Sequence, residues 1–153
     1  MTETSPARKC LRFGWAAVLV FACLGLLLES LHLVKLPLYM EAQIRRELWT
    51  LAHAHGTLLG LVNVVFGLYG SQLTATAAHR ASAALRTAAV LMPAGFFLGG
   101  IGNPETDPSL AIVLVPIGAL LLITAAAIAA FSAWQPADAA TGPDKRDRKV
   151  LQK

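Results

Sequence analysis

Four stretches of this chain carry no Asp, Glu, Lys or Arg: Phe13–Leu28, Leu48–Ala78, Thr87–Pro104 and Pro108–Ala137. A helix needs roughly 20 apolar residues to cross the hydrocarbon core of a bilayer, with a range of about 17–25. The second and fourth runs satisfy this outright. The third is at the lower limit, and the first reaches a full span once Glu29–Val34 is included. No period-2 alternation suggests a β-barrel. Composition agrees, because 14% of the residues are charged against about 25% in soluble domains. The expected fold is all-α, a polytopic membrane protein built as a four-transmembrane-helix bundle. Its spans are expected at about 13–34, 48–71, 83–101 and 109–134. Residues 1–12 read as a cytoplasmic lead, and 135–153 as a disordered basic cytoplasmic tail.

The net charge of +4 carries orientation rather than a nucleic-acid footprint. Arg8, Lys9, Arg12, Arg80, Arg86 and the tail's Lys145, Arg146, Arg148, Lys149 and Lys153 fall on one side of the expected topology. Lys35, Arg45 and Arg46 fall on the other. The positive-inside rule then puts both termini in the cytoplasm, and the expected setting is a multi-pass protein of a bacterial inner membrane. The apolar run continues past Cys23 as LGLLL, so the first span reads as a retained anchor rather than a cleaved signal. Cys10 and Cys23 fall at different depths and imply no disulfide.

The most informative span is Trp49–Gly70, WTLAHAHGTLLGLVNVVFGLYG. His53, Gly56, Gly60, Asn63, Gly67 and Gly70 are spaced alternately by three and four residues. That spacing is the seam of a helix packed closely on others, and Gly56, Gly60, Asn63 and Gly67 form its centre. Asn63 is expected to hydrogen-bond across that seam.

Possible chemistry gathers where the first span exits and the second enters. Glu29, His32, Glu41, Glu47, His53 and His55 meet at that level, and the chain has only 4 histidines. At roughly 100° per residue His53 lies beside the glycine seam, and His55 is turned far from it. Glu29 and His32 are three residues apart and share a helical face. Intramembrane ionisable groups are functional candidates by default. Three readings follow. His32 and His53, with His55 as a further candidate, could ligate haem b, with Gly56 and Gly60 clearing room for the macrocycle. Glu29, His32 and His53 could instead hold copper or zinc. Or the histidines could hydrogen-bond across a bundle that serves as a structural or interaction protein.

No phosphate loop, nucleophile elbow or HExxH motif is present, and no catalytic residue is assigned. A small transporter gains support from Pro93 and Pro116 and loses it from their nearly charge-free spans. The expected partners are the lipid bilayer and a homo-oligomer or larger membrane complex, not nucleic acid.

Overall fold

The computed structural model describes residues 5–102 and 107–134. Helix α1 spans Pro6–Leu33, a one-turn α2 spans Pro37–Met40, and α3 spans Gln43–Tyr69. After a 3₁₀ turn at Gly70–Gln72 come α4, Ala75–Gly99, and a second 3₁₀ turn, Leu110–Val113, that leads into α5, Leu114–Ala133. No strand occurs among the described residues. Four helical segments are long and apolar enough to cross a membrane: Pro6–Leu33, Gln43–Gln72, Ala75–Gly99 and Leu110–Ala133. The chain is an all-α, four-helix integral membrane protein.

Three of the four long helices, α1, α3 and α4, start earlier than the apolar runs imply. The expected lead over residues 1–12 is helical from Pro6, because Ser5 caps the helix and its Oγ accepts the Arg8 N–H at 3.3 Å. Proline suits this first turn, where its missing N–H has no helical partner. Ala7 and Cys10 are buried on the inner side of the same turns. In α4, Thr74 caps the start by accepting the Ala77 N–H, so the connection between the second and third spans is itself helical. Pro93 is buried in α4, which runs on unbroken to Gly99. Pro116 falls in the first turn of α5, where no intrahelical N–H is required of it. The tail from 135 onward lies outside the described residues.

Helix α3 packs against both α1 and α4, and α5 packs against α4. Glycines set the closest approaches. A Cβ on Gly14 would stand 2.7 Å from the Gly60 carbonyl oxygen, and one on Gly67 would stand 2.9 Å from the Leu11 nitrogen. On the other side, a Cβ on Gly95 would come within 2.9 Å of the Val115 nitrogen. Such backbone proximity maximises dispersion contact, the main source of helix association in lipid. Between the helices lie two small buried clusters. One contains Cys10, Phe66, Leu85 and Ala125, and the other Leu59, Ala89 and Met92.

A polar clasp closes one end of the α1–α4 contact. The Cys10 thiol donates to Ser82 Oγ at 3.2 Å, and the Ser82 hydroxyl donates to the Pro6 carbonyl at 3.2 Å. Cys10 is thus the packed cysteine, whereas Cys23 is exposed, and both are free.

Candidate functional site

The other end of α1 turns into α3 through α2, and this corner holds the polar residues that the sequence singles out. The last turn of α1 closes with Lys35 in the left-handed region, φ 50°. The Lys35 N–H donates to the His32 carbonyl and the Leu36 N–H to the Leu31 carbonyl. These are the paired bonds of a Schellman stop. Pro37 then starts α2, and Tyr39 is carried inward to only 4% exposure. Tyr39 stacks on Trp49 at 6.3 Å between centroids, and Trp49 stacks on Phe97 at 5.1 Å. The Trp49 indole N–H donates to the Phe97 carbonyl at 3.0 Å. Arg45 donates to the carbonyls of Gly100 and Leu38 at 3.1 and 2.7 Å. This α3 residue therefore pins both α2 and the C-terminal end of α4, where a cation is electrostatically favoured.

Two adjoining cavities open at this corner. One, of about 310 Å³, is lined by His53, Glu29, Thr50 and Tyr39 together with apolar residues of α1. The other, of about 500 Å³, is lined by His32, Glu29, Tyr39, Arg46, Glu47 and Thr50. Glu29, Tyr39 and Thr50 border both, so the cavities form one cleft with His53 at its inner end and His32 at its outer end.

The two histidines of α3 face different helices. His53 Nδ1 lies 2.7 Å from the Phe21 carbonyl of α1, and its ring covers Gly25, where a Cβ would collide with the imidazole. A carbonyl can only accept, so Nδ1 carries a proton, and in the neutral ring the lone pair is then on Nε2. His55 Nδ1 donates in the same way to Leu51 of its own helix at 2.9 Å, while its ring lies 4.8 Å from Phe96 of α4. His32 is exposed on the last turn of α1, with its ring 6.4 Å from Tyr39 in an edge-on arrangement.

The candidate set is therefore brought together only in part. Glu29 and His53 share the inner cavity, Glu29 and His32 share the outer one, and His55 is directed elsewhere. No group of three His, Cys, Asp or Glu residues able to hold a metal ion occurs among the described residues. The room that Gly56 and Gly60 were expected to leave for a macrocycle is filled from within the chain. A Cβ at Gly56 would run into the Phe21 ring, and one at Gly60 would meet Val18 and the Gly14 carbonyl. A haem clamped between His32 and His53 over these glycines does not fit this arrangement. Asn63 also departs from expectation. It is fully buried, but its amide donates to Leu59 of its own helix at 2.8 Å. Its Oδ1 has no partner among the described residues.

The sequence does not reveal Tyr39, Trp49 and Arg45 as a unit, and Arg45 counts there only as one of three basic residues on the less basic side. Their shared work, roofing the cleft and tying α2 to α4, depends on a turn geometry that no periodicity encodes. The only available signal was the density of aromatic and basic residues between Lys35 and Trp49. No known family, curated protein or solved structure matches this chain.

Proposed function

We propose that this chain is a small metal-binding membrane protein, an accessory subunit in character, whose site is the cleft between α1 and α3. His53 supplies the principal ligand and Glu29 the second donor for one ion of the copper or zinc class. The observation that carries this reading is the 2.7 Å bond between His53 Nδ1 and the Phe21 carbonyl. Metal-binding imidazoles almost always donate their other ring N–H to a carbonyl or carboxylate, which fixes the tautomer and aims the lone pair. Imidazole with carboxylate suits both metals. The remaining positions would fall to water or to a partner subunit. Haem b is not part of the proposal, since Phe21 occupies the space beside Gly56. The proposal includes a bacterial inner-membrane setting with the basic end of the bundle in the cytoplasm, which an active cytoplasmic reporter fused at the C-terminus would support.

Metal analysis of the purified protein after loading and removal of excess ion tests the site. One retained copper or zinc ion is expected, with loss in His53→Gln and weakening in Glu29→Gln. Oxidised and reduced absorbance spectra test haem. Metal retention unchanged by His53→Gln, no retention in the unaltered chain, or a Soret band that His53→Gln removes would overturn the reading.

A structural reading also has a specific observation behind it, because the same bond ties α3 to α1. On that reading the chain works by packing, as a homo-oligomer or within a larger membrane complex. His53→Gln would then lower stability without altering any bound metal.

A further inference from the structure

Between the Cys10–Ser82 clasp and the corner that holds the cleft, a groove runs along α1 and α4 with a volume of about 420 Å³. Every residue lining it is apolar. Ala16, Ala17 and Val20 form one wall, Ala89, Pro93 and Ala94 the other, and Phe21 and Phe97 close its inner end. From Phe13 to Leu24, both of which line it, the groove follows roughly 16 Å of helix at 1.5 Å per residue. Val20 and Val90 on its rim are 61% and 51% exposed, so the groove opens sideways, toward the lipid that surrounds a spanning helix.

Phe13 and Val90 also border a second hollow, whose other walls include Arg86 and Thr87. The apolar groove therefore continues into a basic mouth. One N–H of the Arg86 guanidinium donates to the Ser82 carbonyl at 3.2 Å, which holds the side chain at the clasp. The hydrogen bond of Arg86 goes to this backbone carbonyl, and no carboxylate pairs with it among the described residues. Arg8, Lys9 and Arg80 stand at the same end, whereas the described acids, Glu29, Glu41, Glu47 and Asp107, all belong to the opposite end. An apolar slot that ends at a guanidinium with no carboxylate beside it among the described residues matches one kind of molecule in a bilayer. We propose that the α1–α4 groove holds an acyl chain of an anionic phospholipid whose phosphate rests at Arg86. Basic pockets between membrane helices bind anionic headgroups on these grounds. Its apolar end shares Phe21 and Phe97 with the surroundings of the histidine cleft, but its basic mouth lies at the other end and the proposal does not rest on metal binding.

The full chain, reconstituted in phosphatidylcholine vesicles, is probed by electron spin resonance. Phosphatidylglycerol or phosphatidylcholine spin-labelled on the acyl chain is added in trace amount. The motionally restricted fraction should favour phosphatidylglycerol about fivefold, the effect of one basic group near an anionic lipid surface. Arg86→Gln should bring the ratio near parity and Arg86→Lys should retain most of it. Ala16→Leu, which fills the groove without touching charge, should also remove the preference while circular dichroism keeps its helical signal. Parity in the unaltered chain, or a preference that survives Ala16→Leu, overturns the proposal. So does efficient Val20→Cys cross-linking between two chains, which would make a second copy the occupant.

Discussion

Lys35 is the only described residue other than glycine with a positive φ. It holds the left-handed position that ends α1, a place usually taken by glycine because a Cβ there crowds the following carbonyl. Lys35→Gly is therefore expected to raise stability by about 1 kcal/mol, read as a later midpoint when the protein is unfolded in mixed detergent micelles. Gly14 gives the opposite case. A Cβ there would lie 2.7 Å from both the Gly60 oxygen and the Val64 nitrogen, and backbone cannot step aside as a side-chain tip can. Gly14→Ala should cost about 2–3 kcal/mol, at the upper end of overpacking, in the same assay. The helical wheel separated His53 from His55 correctly in direction, since a rotation of roughly 100° per residue is fixed by the backbone. It could not foresee that Asn63 would bond its own helix. A carboxamide has donors and acceptors for either choice, and only the local fit of α1 decides.

The number and type of helices were legible because charge is excluded from a spanning segment, and that exclusion is written directly into composition. Their starts were less so. Ser5 and Thr74 are ordinary cap residues standing before polar or alanine-rich turns, where hydropathy gives no signal and only capping chemistry does. The cleft was half legible for a similar reason. Helical periodicity brought Glu29, His32 and His53 to one level, but the roof over them comes from α2, Tyr39 and Arg45, in a turn. Arg45 joins three elements at once, donating from α3 to Leu38 and to Gly100. Charge-assisted bonds of this kind are worth about 1.5–3 kcal/mol. Arg45→Gln should therefore destabilise by roughly 2 kcal/mol and loosen the stacking of Trp49 on Phe97, seen as a shift in tryptophan fluorescence. Lysine should rescue poorly, because a single ammonium on a flexible stem does not reproduce the planar fork. Full stability in Arg45→Gln would show that the aromatic stack alone holds the corner.

The four long helices are not equivalent. Helices α1, α3 and α4 are mutually in contact, while α5 contacts α4 and the short 3₁₀ turn before it. The sequence could not reveal this order, because α5 is apolar on every side and so carries no directional signal. Ile117, Leu120, Ile123 and Phe131 remain exposed around it, suited to lipid or to another helix. Ala125 joins it to the buried cluster, and its closest approaches are two glycine contacts, Gly95 against Val115 and Gly118 against Met92, where an added Cβ would meet Met92 Cγ at 2.5 Å. Gly118→Leu should therefore detach α5 and leave the rest of the bundle assembled. The bond from His53 to Phe21, the clasp of Cys10 with Ser82 and the tie from Arg45 to Gly100 involve no α5 atom. Hydrogen exchange of the protein in bilayer nanodiscs would read this as altered protection at the α4–α5 contact, with α1 and α3 unchanged. Metal retention and the phosphatidylglycerol preference should both survive, since neither the cleft nor the α1–α4 groove is lined by α5. Loss of either would mean that α5 supports α4 from behind, and that the three-helix unit is not an independent frame.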